Sequence, residues 1–174
     1  INFYINYVDL EGNLLWDEGG LFTPDLSLNE GGNFSEGLVV FYDGETGLFG
    51  YQDAGGQVVI PARYSVARPF RDGLARVEQV GQDNDWYFID RTGAVVLGPL
   101  HANVGDFSNG LVPYQGYLGE GYDDYFAGYL DKEGQPAITI FRGSTPSDYN
   151  RDAYLVSPGV VEERNFSEDG YAVL

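Results

Sequence analysis

At 174 residues the chain has the length of one domain, which buries roughly 70% of the surface its extended form exposes, so a sizeable core needs no covalent staple. Its 27 acidic against 9 basic residues give a formal net charge of −18, which repels phosphate backbones and anionic lipid heads and argues against nucleic-acid and membrane-surface roles. With no cysteine there are no disulfides, thiolate metal sites or cysteine nucleophiles, and no apolar run approaches the roughly eighteen residues that a membrane helix needs.

The 25 glycines, 14 tyrosines and 11 phenylalanines predict short strands joined by tight turns. From the N-terminus, Ile1, Phe3, Ile5 and Tyr7 alternate with Asn2, Tyr4, Asn6 and Val8, the period-two pattern of a strand with one buried face. The stretch Asn6-Tyr7-Val8-Asp9 closes at Gly12 and is followed by Leu14 and Leu15. Residues 14–33 read as an insertion in which Thr23-Pro24-Asp25 can start a small helical turn.

A repeat then emerges. Phe34-Ser35-Glu36-Gly37-Leu38-Val39 returns as Phe70-Arg71-Asp72-Gly73-Leu74-Ala75, as Phe107-Ser108-Asn109-Gly110-Leu111-Val112 and as Phe166-Ser167-Glu168-Asp169-Gly170-Tyr171-Ala172. Downstream comes a second block: Phe49-Gly50-Tyr51-Gln52-Asp53 closes at Gly56, Trp86-Tyr87-Phe88-Ile89-Asp90 at Gly93, and Gly128-Tyr129-Leu130-Asp131 at Gly134. An apolar third block follows at Val58 to Ile60, Val95 to Leu97 and Ala137 to Ile140. The Asp-x-x-Gly link suits a type I turn, because Asp bonds the backbone at its first position and Gly accepts positive φ at its fourth; blocks two and three therefore form a hairpin. The expected fold is all-β: one repeat domain over 1–174 of about four tandem three-stranded units and about twelve short strands. The units are 34–69, 70–106, 107–165, and a split one made of 1–33 with 166–174. In the late insertion, Thr145-Pro146-Ser147-Asp148 has the N-cap, first-position Pro and first-turn acid of one short helix.

These blocks resemble the WG-repeat family, whose units read Phe-Ser-Glu-Gly-Leu-Ala-x-Val, then Trp-Gly-Phe/Tyr-Ile-Asp-x-x-Gly, then x-Val-Val-Ile-Pro-x-x-Tyr. The likeness is closest over residues 34–40 with 49–69 and over 70–77 with 86–99, and it covers nearly the whole chain. The departure is that no Trp-Gly dipeptide survives: Trp86 precedes Tyr87, while Gly50 and Gly128 follow Phe49 and Ala127. The resemblance implies stacked β-units and no single activity.

The chain opens at a second strand and closes after a first one, so Gly170 to Leu174 is the natural neighbour of Ile1 to Val8. Pairing within one molecule closes the array; pairing between molecules polymerises it, with Ile1, Phe3, Ile5, Tyr7, Tyr171 and Val173 as the assembly residues. The expected function is that of a non-enzymatic assembly subunit, extracellular or at the cell surface, whose N-terminal strand completes the repeat of a neighbour. The partner is the chain itself or another protein. The alternative is a closed monomeric module that binds a glycan or a protein.

For such a module the possible ligand-loop aromatics are Tyr114, Tyr117, Tyr122 and Tyr125. No catalytic residue or cofactor is expected: His101 is the only histidine, and triad chemistry needs a base beside a nucleophile and oriented by a third group. Acidic loops offer weak calcium candidates in Asp83, Asp85, Asp123 and Asp124, none in an Asp-x-Asp-x-Asp-Gly arrangement. Asn33 and Asn165 head Asn-x-Ser acceptors for N-glycosylation.

Overall fold

The computed structural model describes residues 3–5, 8, 11–14, 21–23, 34–82, 85–118 and 124–143. Among these there is no helix. The helix expected at Thr145, the copy at Phe166 with Tyr171 and Val173, and Ile1, Tyr7, Asn33, Asp83, Tyr122, Asp123 and Asn165 lie outside the described residues.

The strands are β1 (Phe3–Ile5), β2 (Leu21–Thr23), β3 (Leu38–Asp43), β4 (Leu48–Asp53), β5 (Val58–Ala67), β6 (Ala75–Gln79), β7 (Trp86–Ile89), β8 (Val95–Leu100), β9 (Ala102–Val104), β10 (Val112–Tyr117), β11 (Tyr125–Leu130) and β12 (Pro136–Gly143). They form a pair β1-β2, a six-stranded sheet ordered β3-β4-β5-β6-β7-β8 and a four-stranded sheet ordered β12-β11-β10-β9. Residue contacts group the chain into two compact units, Ile1–Asp83 with Tyr87–Val95, and Asn84–Trp86 with Val96–Leu174.

Two local devices set this pattern. At the first, Glu36, Asp72 and Asn109 have φ of 53°, 54° and 51°, and Gly37, Gly73 and Gly110 have φ near 80° (81°, 81° and 80°). Two successive residues at positive φ make a type I′ turn, whose twist matches that of the flanking strands. Ser35 and Leu38 accordingly exchange N–H···O bonds of 2.9 and 3.1 Å, as do Arg71 with Leu74 and Ser108 with Leu111. At the second, the amides of Gly56, Gly93 and Gly134 donate to the carbonyls of Asp53, Asp90 and Asp131, each at 2.9–3.0 Å (3.0, 2.9 and 3.0 Å). The Asp carboxylate closes the same turn from the other side. Oδ1 of Asp53 accepts the amides of Gly55 and Gln57 (both 2.9 Å), and Oδ1 of Asp131 accepts those of Glu133 and Gln135 (3.1 and 2.7 Å). The turn expected from Asp-x-x-Gly is therefore present in three copies, with its side-chain clamp.

In the first unit β3, β4, β5 and β6 pair antiparallel in succession. The isolated bridge Val8↔Leu14 about Gly12 has the register of Gln52↔Val58 about Gly56, so the N-terminal hairpin follows the same plan. Phe3–Ile5 pairs with Leu21–Thr23, which gives the N-terminal strand a partner inside its own segment. Leu38, Val40, Tyr51, Ile60, Tyr64, Phe70, Val77 and Ile89 close into one core. Burying each large apolar side chain contributes roughly 1.5–3 kcal/mol. Tyr51 is central: its ring meets Phe70 edge-on at 4.9 Å, and its hydroxyl donates to the Arg68 carbonyl at 2.8 Å.

The third strand is longer than the apolar triple predicts. β5 runs ten residues, and only Ile60 of its first three is buried, leaving Val58 and Val59 exposed. Val95 is exposed in the same way at the start of β8.

In the second unit β9, β10, β11 and β12 pair antiparallel. The pairs Asn103↔Gln115 and Val104↔Tyr114 repeat Val66↔Glu78 and Ala67↔Val77 of the first unit, one copy later. Val104, Phe107, Val112, Phe126, Tyr129 and Leu130 are buried around β10 and β11.

Candidate binding surfaces

Of the expected ligand aromatics, Tyr114 and Tyr125 are not on a loop. They lie in β10 and β11 and are buried. Tyr114 donates to the Tyr117 carbonyl at 2.6 Å, and burial, with the Tyr125 phenol beside it, pushes its own phenol up to about 12. Burial also raises Tyr125, whose oxygen accepts a 2.7 Å bond from the Gln115 side-chain amide. The correction has a simple cause: strand one runs six residues to Tyr117 and pairs with the six of β11, and both strands are buried on both faces. Of the three described, Tyr117 is the one that is half-buried, edge-on to Tyr125 at 5.3 Å.

The two described calcium candidates, Asp85 and Asp124, are each paired. Asp85 Oδ1 contacts His101 Nδ1. Asp124 receives both Nε and Nη2 of Arg142, at 2.7 and 2.6 Å, a fork-to-fork geometry that holds its carboxyl below the usual range and raises the guanidinium. Asp43 binds the Thr46 hydroxyl at 2.7 Å and the Glu45 amide at 3.0 Å, so it closes a turn. Among the described residues no three metal-ligating groups meet.

Residues 58–70 align without a gap on 95–107, and this alignment brings two crevices into correspondence. In the first unit a crevice of about 480 Å³ is lined by Arg63, Tyr64, Gln79, Val80, Gly93 and Val95. The Arg63 guanidinium lies 5.1 Å above the Tyr64 ring, donates to its hydroxyl at 3.0 and 2.8 Å, and also donates to the Gly93 carbonyl. The pair partly plugs the crevice, which keeps about 480 Å³. In the second unit the corresponding positions are Leu100, His101, Gly116, Tyr117, Gly134 and Pro136, and all but Gly116 line a larger cleft of about 640 Å³. Leu100 carries no donor, and His101 is turned outward onto Asp85 with its side chain 67% exposed. The plug is absent there, and Gln135 and Arg142 add polar groups at the rim. Sequence reading missed Leu100, Gln135 and Arg142; placing the copies residue against residue is the signal that finds the first.

A different surface lies at the end of the second sheet. β12 pairs with β11 alone among the described residues, whereas β5, its counterpart as third strand, is paired on both sides by β4 and β6. Ile138 and Ile140 of β12 are 41% and 46% exposed.

No curated protein and no solved structure matches the chain. Residues 49–81, which span β4 to β6, match the family model described as WG containing repeat. Gly50 stands in that segment at the place of the family's glycine, where a Cβ would come within 2.6 Å of the Ile60 carbonyl oxygen. Over this segment the chain is similar to the WG-repeat family.

Proposed function

We propose that the chain is a non-catalytic interaction protein of about four tandem three-stranded units, which associates with further copies of itself or with another protein by adding a strand to the β12 edge. The carrying observation is that edge: an eight-residue strand with one partner among the described residues, whereas its counterpart β5 has a neighbour on either side. Unpaired N–H and C=O groups in a long, apolar edge strand are a template for a further strand. Ile138 and Ile140 offer the incoming segment apolar contact. β1 is likewise paired with β2 alone among the described residues, so a neighbour's N-terminal strand can extend the added one. A contact between two different edges propagates instead of closing.

Multi-angle light scattering with negative-stain microscopy tests this reading. The wild-type chain is expected to form species above the monomer mass that grow with concentration. Ile138→Lys/Ile140→Lys, at exposed positions, is expected to leave a folded monomer. A wild-type monomer at all concentrations, or assemblies that persist in the variant, would overturn it.

A further inference from the structure

We propose that the cleft of the second unit is a binding site for a neutral sugar ring. This goes beyond the edge-strand reading and depends on different residues. The crevice recurs in both units at corresponding positions, but it is narrower in the first, at about 480 Å³, than in the second, at about 640 Å³. Where Arg63 and Tyr64 narrow the first, Leu100 and His101 leave the second wider, and Tyr117 stands in the place of Val80. Its volume of about 640 Å³ falls within the ~300–1,000 Å³ typical of ligand clefts.

The lining selects the ligand. Leu100, Pro136 and the Tyr117 ring give an apolar surface, and the edge-on contact with Tyr125 fixes that ring's orientation. An aromatic face of this kind takes the C–H face of a pyranose. Around it stand planar hydrogen-bonding groups: the Gln135 amide, the Arg142 guanidinium and the His101 imidazole. The Gln135 amide presents a donor and an acceptor side by side, which match adjacent hydroxyls. The Arg142 guanidinium is matched by Asp124, and the His101 ring faces Asp85, so the rim leaves no unmatched positive charge to balance a ligand's charge. With a net charge of −18 on the chain, an anionic ligand is repelled, and a neutral polyhydroxylated ring is the chemistry that fits.

Saturation-transfer NMR on the intact chain with methyl β-glucoside, methyl α-galactoside, N-acetylglucosamine and cellobiose tests the proposal, with sodium glucuronate as the anionic comparison. Transfer to at least one neutral sugar and none to glucuronate is expected. Gln135→Ala, at an exposed position that does not threaten the fold, should weaken binding at least tenfold. Leu100→Arg/His101→Tyr, which rebuilds the plug of the first unit, should abolish it. The proposal is overturned by absence of transfer to every sugar, by transfer to glucuronate, or by transfer that survives both changes while near-ultraviolet circular dichroism shows the variants folded.

Discussion

At Gly50 and Gly128 the second strand passes so close to the third that a side chain has no room. A Cβ on Gly50 would lie 2.6 Å from the Ile60 oxygen and 2.7 Å from the Ala62 nitrogen; on Gly128 it would lie 2.1 Å from the Ile138 oxygen. Both sit at register shifts in their hairpins, where the ladder bends. Gly50→Ala is expected to cost ~1–3 kcal/mol by overpacking, read as a lower urea midpoint; an unchanged midpoint would refute the close approach. Titration adds a second prediction. The Thr92 hydroxyl, then the Ala94 and Thr92 amides, hold the Asp90 carboxyl below its ordinary value, and the Thr46 hydroxyl and the Glu45 amide do so for Asp43. A carboxyl lowered on folding contributes stability above its unfolded pKa and loses it as pH falls. Thermal stability should therefore decline below about pH 4, and Asp90→Asn should flatten that decline. An identical pH profile in the variant would contradict the clamp.

Elements are decided by how local their cause is. The Asp-x-x-Gly turn was legible because its chemistry is contained in four residues, and the type I′ turn is just as local, an acidic or amide residue before Gly. The turn copies are also tied together, since the Glu36 carboxylate accepts the Gly73 amide at 3.1 Å from each oxygen and Ser35 donates to the Phe70 carbonyl. Asn109 holds φ of 51°, which a β-branched residue resists. Asn109→Val should cost ~1–2 kcal/mol in thermal unfolding, and no loss would mean that the turn is not type I′ in solution. Strand length was not legible. β5 is long because β4 and β6 bond its two sides, and that is settled by pairing, not by its own residues. The same limit misplaced Tyr114 and Tyr125. Tyr-rich sequence looks alike in a loop and in a strand, and only the register Tyr117↔Tyr125 distinguishes them.

At the scale of the molecule, each unit carries its own buried cluster, and the chain's all-β class followed from composition and repeat before any coordinate. The cleft was only half legible: Tyr117 was marked by its chemistry, whereas the opening depends on what Leu100 and His101 replace. That β12 has one partner among the described residues was not legible, because pairing is a property of the sheet order and leaves no mark on Pro136–Gly143. Residue-resolved amide hydrogen exchange of β12 at two protein concentrations tests the association claim most directly. In an antiparallel strand the amides face the two neighbours in turn. Those of β12 that face away from β11 should gain protection as concentration rises, while those bonded to β11 stay constant. Protection of the outward amides that is independent of concentration would contradict association through this edge.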